Sequence, residues 1–401
     1  MFFKHFFKSV KSAARVYLDY ASSTPVDYKM LETFPVLPPH ILAANPSALH
    51  HAGVHARRAI ESVRDVIAQA IDAHTDEITF TSGATESNNM ALMGFVTACQ
   101  EKGLQMSEIA VFVSEYEHAS ILECAAALAK RGVQVTKLTS VPVLDPKDIS
   151  VPPHIKAVLV SVMYVNNEVG TILPIKDIAK RVRKLRKEYP DVTIVLHTDA
   201  TQAPLYIDLG VPQLGIDMMT LGATKLYCPK GVGMLYVRRG ITIAPLMYGG
   251  GQEKGKRPGT EALSLVHAFA HALAYAQSHV DDAYEVIAGL QEYFEELVQE
   301  TFPGVGITLQ EYDRAPHISH VAIKGFDSEL LVIELDARGI AVSSKSACKN
   351  EEGNESAIVE SIYGPNVGAV RFSFGRMTTR KDIDRAVNAL QSVIRKYYVS
   401  E

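Results

Sequence analysis

Apolar and polar positions follow two rhythms along this chain. Between residues 53 and 73, Ile60, Val63, Ile67, Ala70 and Ile71 recur three or four apart, which predicts one buried face of a helix. Short apolar runs then alternate with helical stretches. The runs 78–81, 109–113, 133–138, 157–162 and 193–196 predict strands, and 85–100, 119–130 and 175–188 predict helices. A further strand-like run, 232–237, follows the turn Pro229-Lys230-Gly231. Such alternation predicts an α/β fold, a mainly parallel sheet covered by helices on both faces. The rhythm changes after Thr260. Two long helical stretches, 261–278 and 283–300, lead to a strand near 317–323 and a helix 328–338, capped by Asp327 and ended by Gly339. A strand at 369–374 follows. The last helix opens at Thr379, with Asp382 as its capping-box acid, and runs to Tyr398. The expected organisation is a large domain, 17–260, a smaller α+β domain, 261–401, and an N-terminal extension, 1–16.

Composition narrows the function classes. With 47% apolar and 21% charged residues, the 401-residue chain is an ordinary globular one, long enough for two domains. Its net charge of −5, without a dense basic patch, argues against nucleic-acid binding. No apolar run approaches the roughly 18–20 residues of a membrane span. The four cysteines, Cys99, Cys124, Cys228 and Cys348, show neither CxxC nor metal-type spacing. Neither a disulfide framework nor a metal site is expected, and a reducing, cytoplasmic compartment fits. Residues 1–15 carry Lys4, Lys8, Lys11 and Arg15, and Phe2, Phe3, Phe6, Phe7 and Val10 can share one helical face. The segment is poor in arginine and lacks a small-residue cleavage site. It is read as packing on the body or on a partner, not as a targeting segment.

In open α/β sheets, ligands bind beyond the carboxyl ends of the strands. After 78–81 comes Ser82-Gly83-Ala84-Thr85-Glu86-Ser87, small residues opening a helix, where backbone N–H groups can approach an anion. After 109–113 comes Glu117-His118, after 157–162 Asn166-Asn167-Glu168, and after 193–196 Asp199-Ala200-Thr201-Gln202. Lys225 then sits between Leu221-Gly222-Ala223 and the Pro229 turn. Among small and apolar residues a lysine loses hydration, which favours the free amine and lets it form a Schiff base with an aldehyde cofactor. A surface lysine beside a turn fits the same few residues. An anion cup, a histidine, an aspartate and a lysine, each at a strand end, are harder to explain as structure alone.

These residues carry a resemblance. The chain resembles the pyridoxal-phosphate enzymes of fold type I, class V aminotransferase group, and is most similar to cysteine desulfurases of the iron–sulfur-cluster type. The matching stretches are YLDYASSTPVD at 17–27, NPS at 45–47, TSGATES at 81–87, EH at 117–118, NNEVG at 166–170 and DATQ at 199–202. They continue with KLYCPKGVG at 225–233, GGGQEKGKRPGT at 249–260, SSKSAC at 343–348 and RFSFGR at 371–376.

The resemblance implies a seven-stranded, mainly parallel sheet between helices and a cofactor, pyridoxal 5'-phosphate, held by Lys225. Asp199 would pair with the pyridinium nitrogen, His118 would stack on the ring, and Gln202 would bond the ring oxygen. Ala84 and Thr85 would bind the phosphate through the helix N-terminus. Thr260 would reach the phosphate of the other subunit, which implies a homodimer. Asn167 would meet the ring or the substrate, Asn45 would line the substrate site, and Arg371 would clamp the substrate carboxylate. Cys348 would be the nucleophile that takes sulfur from L-cysteine, leaving L-alanine, and passes it as a persulfide to an acceptor protein; a passive loop cysteine is the plainer alternative. An aminotransferase or lyase without sulfur transfer, or a non-catalytic sulfur-relay scaffold, fits the same fold. The chain departs from the family in several places: Lys345 stands where a glycine usually precedes Ser-Ala-Cys, which bears on the acceptor, Cys228 stands where glycine is usual, and the residues before Lys225 differ. Gly222-Ala223-Thr224 stands where Ser-x-His usually precedes the lysine. Gly222 and Thr224 therefore predict a looser phosphate site.

Overall fold

Short β-branched and apolar runs build the strands. The computed structural model describes residues 15–141, 143–344 and 357–398. The strands are β1 (Val16–Tyr17), β2 (Ile78–Thr81), β3 (Ile109–Ser114), β4 (Gln134–Leu138), β5 (Ala157–Ser161), β6 (Thr193–Asp199), β7 (Met218–Gly222), β8 (Gly233–Val237), β9 (Gly306–Ile307), β10 (Ile318–Lys324), β11 (Ile340–Ala341) and β12 (Val367–Ser373). The helices are α1 (Tyr28–Glu32), α2 (Pro39–Leu42), α3 (His51–Ala70), α4 (Ala84–Glu101), α5 (Ala119–Lys130), α6 (Ile175–Glu188), α7 (Val211–Leu214), α8 (Leu263–Ser278), α9 (Val280–Thr301), α10 (Ser328–Ala337), α11 (Ala357–Tyr363) and α12 (Arg380–Tyr398). The chain divides into two units: residues 22–285 with 309–315, and the described parts of 1–21, 286–308 and 316–401. The division falls within α9 and not at 260/261, because α8 packs along α3 and so belongs to the larger unit.

The larger unit holds a seven-stranded sheet in the order β2-β8-β7-β6-β5-β3-β4. From β4 to β7 all neighbours are parallel, and β8 runs antiparallel to both β7 and β2. This is the mainly parallel sheet expected. β3 and β5 are buried at every residue, as strands covered on both faces must be. Met90, Leu92 and Phe95 of α4 and Ile121 and Leu128 of α5 share one core with Val111, Leu159 and Val195 of the sheet. α6 buries a single stripe, Ile175, Ile178, Ala179, Val182 and Leu185, beneath a basic outer face. The chain winds outward from β3 to β4, then returns to β5 on the other side of β3 and continues to β6 and β7. The ends of β3 and β5 are therefore a topological switch point, where a crevice opens.

In the smaller unit, β9, β10 and β12 form an antiparallel sheet, and β1 pairs in parallel with β11. Phe294 packs against Phe372 and Phe374 at ring-centroid distances of 4.7 and 5.4 Å. Asp327 caps α10 by accepting from Leu330 N, and Thr379 and Asp382 bond reciprocally ahead of α12. Among the described residues, no helix is long and apolar enough to cross a membrane.

Candidate active site

Two strand ends press on the opening of α4. Gly83, before its first residue, has φ 153° and ψ 177°, a region that essentially only glycine occupies. Gly222 ends β7 against that opening: a Cβ added there would stand 3.2 Å from Ala84 Cβ and 3.3 Å from Ala84 N. Gly233 pairs with Gly222 across the ladder, and its added Cβ would lie 2.7 Å from Leu221 O and 2.8 Å from Gly83 Cα. The opening is also tied from outside, since Glu86 accepts from Ser82 N at 2.6 Å and from Arg257 Nε at 2.9 Å. The N–H groups of a helix's first turn have no partner within the helix and suit an anion. Ala84 is half-buried and Thr85 exposed. Gly233→Ala should displace this opening and destabilise the protein by about 1–3 kcal/mol, the usual cost of overpacking; denaturant melts of the two proteins measure it.

Asp199 ends β6 and is 7% exposed. Its Oδ1 accepts from Thr201 N at 3.0 Å and Thr201 Oγ1 at 2.5 Å, and its Oδ2 accepts from Asn88 Nδ2 at 2.7 Å. Asn88 Nδ2 also donates to Ser120 Oγ at 2.8 Å. Ser120 Oγ lies 2.8 Å from His118 Nδ1, which accepts Ser120 N at 3.1 Å as the N-cap of α5. Nδ1 is therefore the acceptor, and the neutral ring carries its hydrogen on Nε2. Burial lowers the His118 pKa; the Asp199 charge opposes this and Lys225 adds to it. Asn88, on the buried face of α4, is the hub that joins aspartate to histidine. Sequence reading missed it, because an asparagine in the middle of a helix carries no motif of its own. Asn88→Ala should weaken binding of any cation held on Asp199 by roughly ten- to a hundredfold, the value of a hydrogen bond to a charged group; a cofactor titration reads it.

Lys225 ends the 3₁₀ turn after β7, half-buried, with its Nζ donating to Ser22 O. The neighbouring backbone is held separately: Thr24 N donates to Thr224 O at 2.9 Å and Tyr227 N to Thr24 Oγ1 at 2.8 Å. Cys228 is buried, and burial pushes its thiol up to about 12. Asn166 organises the turn after β5, accepting Glu168 N and Val169 N on its Oδ1, and Asn167 stands partly buried at the tip. Gln202 is nearly buried in the turn after β6. Asn45 is exposed and accepts Ser47 N at 2.9 Å; Thr260 is exposed at the end of its glycine-rich loop. Arg371 belongs to the smaller unit, where it is 2% exposed and donates to Asp19 Oδ1 at 2.9 Å. Cys348 lies outside the described residues.

The larger unit thus holds an open helix N-terminus, an oriented carboxylate, a helix-capping histidine and a lysine. The sequence profile of the family described as aminotransferase class-V matches residues 16–386. The chain belongs to that family. Among curated relatives, it is 37% identical to a cysteine desulfurase IscS of Dictyoglomus turgidum, over 95% of each protein. It is 33% identical to the cysteine desulfurase IscS 1 of Archaeoglobus fulgidus, over 95% of this chain and 97% of that protein. Among solved structures, a NifS-like protein matches with a TM-score of 0.82 at 27% identity, covering 95% of this chain and 100% of that one. A structure of SspA in complex with cysteine matches at 0.72 and 29% identity, covering 89% and 98%.

Proposed function

We propose that this class-V protein is a pyridoxal-phosphate-dependent cysteine desulfurase. It converts L-cysteine to L-alanine, leaves a persulfide on Cys348, and supplies sulfur for iron–sulfur clusters or thiolated cofactors. It works in the cytoplasm as a homodimer. The observation that carries the cofactor reading is the chain of hydrogen bonds from Asp199, at the end of β6, through Asn88 of α4 and Ser120 of α5 to His118, with the neighbouring strand β7 leading to Lys225. The near-full-length likeness to cysteine desulfurases carries the choice of reaction.

The residues present fit the cofactor. A buried carboxylate with both oxygens oriented by donors suits a protonated ring nitrogen, and the first turn of α4 suits a phosphate. When bound, pyridoxal phosphate supplies an electron sink for negative charge at the amino-acid Cα. Lys225 would hold its aldehyde carbon and then move the Cα proton. Asp199 would keep the ring nitrogen protonated, His118 would lie on the ring face, and Gln202 and Asn167 would meet its polar edge. Ala84 and Thr85 would offer backbone N–H groups to the phosphate, with the Thr224 hydroxyl beside them and Thr260 reaching across from a second copy. Gly222 offers no side-chain donor; its place against Ala84 leaves little room for one. Arg371 would bind the substrate carboxylate and Asn45 would line the substrate site. The substrate's Cβ–S bond breaks, its sulfur joins the Cys348 thiolate, and Cβ takes a proton.

The test is a visible absorption spectrum of the purified protein titrated with pyridoxal phosphate, beside Lys225→Ala. A band that depends on Lys225 supports the cofactor reading; no band in either protein overturns it.

A further inference from the structure

Glu117 is buried in the larger unit, and the chemistry above does not use it. It stands between β3 and α5, next to His118. Its Oε1 accepts from Ser114 Oγ, the last residue of β3, at 2.5 Å, and from Met163 N, just past β5, at 2.6 Å. These are the two strands at which the chain reverses its winding. A second bond crosses the same gap: Asn166 Nδ2 donates to Tyr116 O at 3.3 Å. Glu117 Oε2 is buried and finds no hydrogen-bond partner among the described residues.

We infer that Glu117 is a positioning residue of this site: its carboxyl ties the end of β3 to the end of β5 at the switch point and so fixes the seat of His118. The inference deepens the cofactor reading and rests on it only for what His118 does there.

The clamp works best with a neutral carboxyl. An ionised one would leave charge on Oε2 with no donor beside it, and burying such a charge is costly. The charged group that faces it is Asp199, at the end of β6; the titratable neighbour on its own segment is His118; from past β5 it meets the neutral Met163 backbone. Burial pushes the Glu117 carboxyl up from 4.5 to about 8, and the Asp199 charge adds to this, while its two hydrogen bonds oppose it. The folded protein therefore holds a proton that the unfolded chain gives up near pH 4.5. Stability attributable to this group falls as pH rises from about 4.5 to about 8 and levels off beyond.

Glutamine keeps an oxygen for both donors and cannot ionise, whereas alanine deletes the clamp. Wild type, Glu117→Gln and Glu117→Ala are each titrated with pyridoxal phosphate, followed by absorbance and by the circular dichroism of the cofactor band, which reports a ring held in one orientation. Glu117→Gln should match wild type closely. Glu117→Ala should bind about tenfold more weakly, two lost hydrogen bonds, with a weaker dichroic band. The unfolding midpoints of cofactor-free wild type and Glu117→Gln are then compared between pH 5 and 9. The advantage of Glu117→Gln should grow up to about pH 8 and then stay constant. Equal dichroism and affinity in Glu117→Ala, or a Glu117→Gln as damaged as the alanine variant, overturns the inference. If wild type gives no Lys225-dependent band, the cofactor reading fails, and the pH series alone decides the clamp: a constant difference overturns it.

Discussion

Alanine in place of Lys225 should remove the visible cofactor band and lower cysteine turnover by roughly 10⁴-fold, the upper range for a positioned proton-transfer group. The amine has two tasks in the proposed chemistry, holding the aldehyde carbon and moving the Cα proton. The fold should survive. Lys225 is half-buried, and the turn around it is held by Thr24 against Thr224 O and by Tyr227 N on Thr24 Oγ1. Lys225→Arg is the control: it keeps the charge and most of the volume, but a guanidinium stays protonated. It should be as inactive as alanine with a denaturant midpoint near wild type. An Arg variant that retains the band would mean that the amine is not the anchor.

Cys348→Ala should separate the two effects. The Lys225-dependent band stays, while persulfide and alanine formation from L-cysteine fall to background. The other thiols cannot substitute. Cys99, Cys124 and Cys228 are buried, and burial pushes their thiols up to about 11, 11 and 12. At neutral pH almost none of each is thiolate, the form that attacks sulfur. Alkylation of the native protein should accordingly be dominated by Cys348, read by peptide mass spectrometry. Labelling shared equally among all four cysteines would contradict it.

Much of this architecture was legible in the sequence. Ile78–Thr81, Ala119–Lys130 and Ile175–Glu188 stand where apolar periodicity put them, because each buries one continuous face or run. In the sequence β7 shows only as an apolar approach to Lys225. Its five residues, Met218–Gly222, follow the short helix α7 closely, and their strand character comes from pairing with β6 and β8. α8 has a strong helical pattern, but the pattern could not say that it packs along α3. At the site, the strand-end residues His118, Asp199 and Lys225 were readable because chemistry needs those residue types there. The residues that aim them were not. Asn88 and Ser120 are common polar residues on helices, and their importance lies in the bonds of 2.7 and 2.8 Å that Asn88 makes to Asp199 and Ser120, 111 and 32 residues away. Glu117 was visible only as the neighbour of a histidine. The Asp19 carboxylate on Arg371 arises from pairing 352 residues apart, beyond the reach of any local pattern.

In the proposed reaction, sulfur leaves cysteine and joins this chain. The direct measurement is a single incubation of the cofactor-loaded protein with L-cysteine, quantifying L-alanine and, by intact mass, sulfur added to the protein, with Cys348→Ala alongside. One alanine should appear for each sulfur gained in the first turnover, with the sulfur on Cys348, and the variant should yield neither product. A protein that shows the Lys225-dependent band yet releases no alanine, or releases it equally without Cys348, would contradict the desulfurase reading and leave a class-V enzyme of other chemistry.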